Sequence, residues 1–131
     1  MNIILYFITL FTLVVIDSVW LFSTSTLYKK TLGALFDFSV SFVPVIFFYL
    51  IYALGVVTFV ILPAIQKGSS WLTIFFTGAL FGLVAYATYD LTNQATIRNW
   101  PLSITLMDIT WGAIFTGISS CVIYAIYAYF K

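Results

Sequence analysis

Residues 3–22, IILYFITLFTLVVIDSVWLF, run for 20 positions with a single charge, Asp17. At about 1.5 Å of rise per residue a helix of that length spans roughly 30 Å, the thickness of a bilayer's hydrocarbon core. The run exceeds the apolar region of a signal peptide. No lysine or arginine stands before it and no A-x-A site follows, so it reads as a retained transmembrane helix.

The remaining chain repeats the theme. Of 131 residues, 63% are hydrophobic, 21% aromatic and 7% charged, and the mean hydropathy is +1.15. A soluble fold of this length has too little interior to hide that much apolar surface, and a disordered chain needs polar groups this one lacks. Outward from Phe22, STSTLYKKTLG (23–33) breaks the apolar pattern. A second span follows over about 38–62, with Pro44 in its first two turns and Pro63 as its stop. The loop PAIQKGSS (63–70) leads to Trp71, an interfacial anchor, and to a third span over about 71–91. After YDLTNQATIRNWP (89–101), Pro101 starts a fourth span over about 101–130. At roughly 45 Å, this last helix must tilt or project, which puts Tyr124, Tyr127 and Tyr129 at the far interface. The expectation is one all-α integral membrane domain over residues 1–131, a four-transmembrane-helix up-down bundle.

Composition removes several function classes. The net charge is +1 with no basic stripe, which speaks against nucleic acid as a partner. Histidine is absent, so Ser-His-Asp and Cys-His nucleophiles, His-ligated haem and most zinc sites are excluded. The single Cys121 allows neither an internal disulfide nor a CxxC pair and reads as a buried inert thiol. No phosphate-binding loop and no cofactor or metal signature is present; three aspartates could hold Mg²⁺, a hard cation, but their spacing matches no known site. Lys29, Lys30 and Arg98 lie on one side of the membrane and Lys67 and Lys131 on the other, so the positive-inside rule places both termini outside and the first and third loops in the cytoplasm.

The stretch at 89–101 acquires meaning from this topology. Because alternate spans run in opposite directions, Asp17, Asp90 and Asp108 fall toward one membrane face, where Asn93, Gln94 and Arg98 join them. If the third helix continues past residue 91, Asp90, Gln94 and Arg98 recur every fourth residue on one face. A charged residue inside a span costs about 2.5–3.5 kcal/mol on insertion scales, so intramembrane acids are functional candidates. The bland reading is a polar clamp holding helices one, three and four, with Arg98 pairing a carboxylate and Lys29 and Lys30 snorkelling back. Asp37, beside those lysines in sequence, reads as solvated loop charge. Acid exceeds base here, which favours a site that awaits a proton, a metal ion or a cationic ligand group.

Asp17 and Asp108 share a setting, IDSVW and MDITW, in which acid and indole lie three residues apart on one helical face. Trp111 lies too deep for an interfacial belt and is the pocket candidate, whereas Trp20 and Trp100 read as interfacial anchors at the site's edge. Tyr86 and Tyr89 flank the site, and a phenol on Asp90 or Asp108 is expected from one of them. The tyrosines at 6, 49, 52 and 86 read as core or lipid-facing rather than catalytic. Gly78-xxx-Gly82 and Gly112-xxx-Thr116-xxx-Ser120 are small-residue stripes that let helices approach closely within the bundle, or else mark a homodimer seam.

The Asp-x-x-Trp of the first helix and the long segment YDLTNQATIRNWPLSITLMDITWG (89–112) resemble a family of small bacterial inner-membrane proteins classed as a domain of unknown function. The likeness extends over essentially the whole chain. It implies a four-helix, multi-pass protein of the bacterial cytoplasmic membrane and assigns no catalytic roles. From the residues themselves, the leading expectation is an acidic pocket near one membrane face that binds or processes a small amphiphile or lipid headgroup, cationic groups included. The alternatives are a proton- or cation-coupled transporter acting as a homodimer and a non-enzymatic stabilising subunit of a membrane complex.

Overall fold

The computed structural model describes residues 1–35 and 39–131; Asp37 and the start of the expected second span lie outside the described residues. Four helices long and apolar enough to cross a membrane run through it: α1 (Ile3–Leu32), α2 (Phe42–Lys67), α3 (Trp71–Thr96) and α4 (Leu102–Phe130). Short connections join them, so successive helices run antiparallel. The chain is a multi-pass membrane protein with an all-α four-helix bundle. Its outer surface explains the composition: Phe11, Phe22, Phe42, Leu72 and Leu80 are among many large apolar side chains that face outward, as a hydrocarbon solvent requires.

Local chemistry sets the ends. Asn2 caps α1 by accepting the Ile4 N–H at 3.0 Å, and Ser70 caps α3 by accepting the Thr73 N–H at 3.2 Å. Gly68 closes α2 in the left-handed conformation at φ 60°, where an L side chain is strained. Asn99 turns the chain between α3 and α4 at φ 63°, a geometry asparagine tolerates better than most residues. Pro101 stands just before α4 as its cap residue rather than inside its first turn.

Three helix ends differ from expectation. Helix α1 continues through the polar tract to Leu32, ten residues beyond Phe22, instead of breaking at Ser23. The hydroxyls that suggested a loop are satisfied by the helix itself: Ser23 and Thr24 donate to the Val19 and Trp20 carbonyls at 2.7 Å, and Ser25 to Phe22 at 3.4 Å. Pro63 likewise does not stop α2. The helix widens into a π-turn over Val57–Ile61, then resumes through Lys67. A proline ring clashes with the carbonyl four residues earlier in a regular helix and lacks the N–H to bond it; a widened turn immediately before it absorbs both problems. Helix α3 also runs to Thr96, five residues past the expected end.

The buried core runs along the middle of the bundle: Leu5 and Leu13 of α1, Tyr52, Ala53, Val56 and the π-turn residues Val57, Val60 and Ile61 of α2, and Phe115 and Ile123 of α4. Helices α3 and α4 are in contact along their length because the two small-residue stripes meet one another. A Cβ on Gly82 would overlap the Gly112 carbonyl oxygen, and one on Gly78 would stand 2.8 Å from the Thr116 carbonyl oxygen. Tyr52 of α2 shares a 2.7 Å hydrogen bond with Thr116 of α4, and the Tyr6 hydroxyl of α1 donates to the Leu50 carbonyl of α2 at 3.0 Å. Cys121 is partly buried, with Sγ 3.7 Å from the Trp71 carbonyl oxygen.

A second, smaller cluster roofs the bundle at the face where α1, α3 and α4 meet. Leu32, Trp100 and Ile104 are buried there, with Tyr28, Leu35 and Ile97 against them. Beneath it a closed polar loop ties the α3–α4 hinge: Trp100 Nε1 donates to Thr105 Oγ1 at 3.0 Å, Thr105 donates to Gln94 Oε1 at 2.7 Å, and Gln94 Nε2 donates to the Trp100 carbonyl at 3.3 Å. Replacing Thr105 with valine keeps the shape and removes the hydroxyl at the centre of this loop. The expected cost is about 1–3 kcal/mol, read as a lower melting temperature of the purified protein.

Candidate functional site

Antiparallel packing brings two stripes together. On α1, Asp17, Trp20, Thr24 and Tyr28 recur every three or four residues and share a face; on α4, Trp111 and Asp108 oppose them. Trp20 and Trp111 stack in parallel, ring centroids 4.5 Å apart and planes 5° apart, and Trp111 stacks in turn on Phe115 at 5.4 Å. Trp111 Nε1 donates to Asp17 Oδ1 at 3.0 Å, and the Tyr49 hydroxyl of α2 donates to Asp17 Oδ2 at 2.6 Å. Asp17, only 5% exposed, is therefore saturated, with both oxygens bonded to neighbouring helices. It lies fifteen residues from the end of α1 rather than the expected five, and meets α4 one turn deeper than Asp108.

The other two acids form a separate group. Asp108 accepts a hydrogen bond from the Tyr28 hydroxyl, and Trp20 lies beside that phenol. Asp90 faces Asp108 across the α3–α4 seam, close enough for the carboxyls to interact. Asp90 has 0% of its surface exposed, and neither of its oxygens has a hydrogen bond of normal geometry. Both residues sit six positions inside their helices, about 9 Å from the ends. The charged side chains acting on the pair are other acids, with Asp17 felt at Asp108.

The structure thus splits the expected trio. It brings Asp90 and Asp108 together and assigns Asp17 to a hydrogen-bonded junction of α1, α2 and α4. Among the described residues no group of three acid, histidine or cysteine side chains is arranged to hold a metal ion. Arg98 falls beyond the end of α3 and is exposed, as are Lys29 and Lys30, so the expected rescue of a carboxylate by Arg98 is not what the fold provides. Gln94 is one turn from Asp90 but is engaged with Trp100 and Thr105, and Asn93 is half-buried, its carbonyl accepting the Ile97 N–H at 2.8 Å. Trp20 is in the Trp–Trp stack rather than at an interface, and Trp100, 6% exposed, is in the roof rather than a belt. The phenol on an acid comes from Tyr28 and Tyr49, not from Tyr86 or Tyr89. Tyr86 packs its ring where a Gly112 side chain would otherwise stand. Tyr28 was hidden in a stretch read as loop; once α1 is extended, the 17-20-24-28 spacing exposes it.

A pocket of about 420 Å³ opens beside this site between α2 and α3, walled by Phe48, Tyr52, Ala85, Tyr86 and Tyr89. The volume falls in the usual range for small-molecule sites, about 300–1,000 Å³. Below the groove, the π-turn of α2 touches α3 and closes the gap. A second pocket of about 330 Å³ lies toward the opposite face, between the end of α2 and the start of α3, with Lys67 and Thr73 in its wall.

Four apolar spans and a paired-acid site under an aromatic roof define a multi-pass membrane protein with a buried polar centre. The chain belongs to the family described as "Predicted membrane protein (DUF2177)", whose match covers residues 2–125. No curated protein and no solved structure matches it.

Proposed function

We propose that this protein is a membrane-embedded pocket that binds or processes a small amphiphile presented at one face of the bacterial cytoplasmic membrane, with the termini on the outer side. The observation that carries the reading is Asp90, fully buried with no hydroxyl, amide or basic donor on either carboxyl oxygen and only another acid, Asp108, against it. A purely structural acid is held by donors, as Asp17 is by Tyr49 and Trp111. Leaving a buried polar group unsatisfied costs about 1–3 kcal/mol, and more when it is charged. An arrangement kept at that cost is a candidate for chemistry on something that arrives from outside. Asp90 and Asp108 are the groups that would meet a polar head, and Tyr28 the group that orients Asp108.

The test is the melting temperature of the purified protein and its Asp90→Asn variant, with and without a panel of lipids and Mg²⁺. The variant is expected to melt at or a few degrees above wild type, because it removes one of two neighbouring acids and leaves an amide that can donate to Asp108. Some amphiphile should raise the wild-type value and leave the variant unmoved. Collapse of the variant, with no response of wild type to any ligand, would make the acids a clamp and end this reading.

A further inference from the structure

We infer that the ligand is an amphiphile whose head carries a positively charged nitrogen and whose apolar part lies in the aromatic groove between α2 and α3. The inference rests on the proposed pocket and specifies its chemistry. Two independent features complement a cation. The first is the Asp90 carboxyl, 0% exposed, with no donor from a neutral or basic side chain and only the Asp108 carboxyl beside it, while Lys29, Lys30 and Arg98 are all exposed at the surface. The second is the groove itself, in which four of the five wall residues are aromatic: Phe48, Tyr52, Tyr86 and Tyr89. Ring faces attract ammonium groups, more strongly when water is absent, and aromatic cages are a recurrent way to hold a quaternary nitrogen.

The two features share α3. Tyr89 directly precedes Asp90, and Tyr86 stands one turn before it on the same face. Tyr89 is 55% exposed and touches Trp100 edge-on at 6.3 Å, which makes it the wall least held by packing. Asp90 does not itself line the groove, so this ring must move aside for a head group to reach the carboxyl. The groove opens on the apolar flank of the bundle, so a molecule already dissolved in the bilayer reaches it sideways, without crossing water. A metal ion has no such use for aromatic walls, and an anionic or phosphate head would meet two carboxyls with no basic group beside them.

Wild-type protein in neutral maltoside micelles is titrated with an alkyltrimethylammonium, an alkylsulfonate of the same tail, tetramethylammonium and Mg²⁺. The alkyltrimethylammonium should raise the melting temperature by on the order of 5 °C. Tetramethylammonium should do so weakly and the other two not at all. In Asp90→Asn the rise should vanish; in Phe48→Leu/Tyr89→Leu the apparent affinity should fall about three- to tenfold. A rise with the sulfonate or with Mg²⁺ equal to that with the ammonium overturns the cationic assignment and leaves the pocket standing. No rise with any probe, together with a low-melting Asp90→Asn, overturns the pocket as well. The probes are ranked on wild type first, so a variant that fails to fold does not remove the decision.

Discussion

Gly82→Ala should prevent α3 and α4 from docking and be the most damaging single methyl in the chain. The added carbon has no room: it overlaps the Gly112 carbonyl oxygen and stands 2.5 Å from Thr116 Oγ1. A side-chain tip can rotate away, but a helix backbone on the far side of a seam cannot, so the helices must separate. Overpacking typically costs about 1–3 kcal/mol, and a backbone obstacle puts this case at or above the upper end. In a bilayer there is no hydrophobic gain between helices to offset a poor fit; close packing itself is the attraction. Gly78→Ala should cost less, because part of its obstruction is the Ser120 hydroxyl. Gly68→Ala supplies the control. Its Cβ would meet nothing within 4 Å, so only the left-handed backbone is charged, at about 1–2 kcal/mol. Thermal unfolding of the three purified variants should order them Gly82, Gly78, Gly68 from worst to mildest. Equal melting of Gly82→Ala and wild type would show that the helices do not approach as described.

Asp17→Ala should be at least as costly, by about 3–5 kcal/mol, and opposite in sign to Asp90→Asn. Asp17 accepts from Tyr49 and from Trp111, and it joins three helices by doing so. Hydrogen bonds to a charged acceptor contribute about 1.5–3 kcal/mol each, and removal leaves two donors stranded in an apolar interior. Tyr49→Phe takes away one bond and should reproduce part of that loss, about 2 kcal/mol. The Trp20–Trp111 stack should loosen with Asp17→Ala, visible as a weaker near-ultraviolet circular dichroism signal. If Asp17→Ala melts like wild type while Asp90→Asn collapses, the division of the acids into a junction and a site is reversed.

The contrast between the acids shows where sequence reasoning reached and where it stopped. That Asp90 and Asp108 approach one another follows from antiparallel spans and their similar distance from the α3–α4 hinge. That Asp17 belongs elsewhere does not follow, because its depth depends on where α1 ends. The serines and threonines at 23–25 look like a loop, yet they bond their own helix, which carries Tyr28 onto Asp108. Tyr49 is thirty-two residues from Asp17, and only the packing of α2 against α1 makes it a partner. Arg98 illustrates the converse. Four-residue spacing puts it in line with Asp90, but α3 ends at Thr96 and the register is lost two residues too soon.

The amino-acid sequence alone determined the solvent and the architecture. Long apolar runs cannot be hidden in a fold of this size, backbone groups in hydrocarbon must bond within helices, and four runs joined by short breaks make an up-down bundle. Tertiary structure alone decided which acids are satisfied. Hydrogen-bond partners are chosen by distances of about 3 Å between side chains on different helices, set by axial offsets of a turn or less. Hydropathy locates a span but is blind to offsets on that scale. The glycine stripes bring α3 against α4, the π-turn carries α2 past Pro63, and the extension of α1 delivers Tyr28. The same packing sets Asp17 against Tyr49 and Trp111 and leaves Asp90 facing only a second acid.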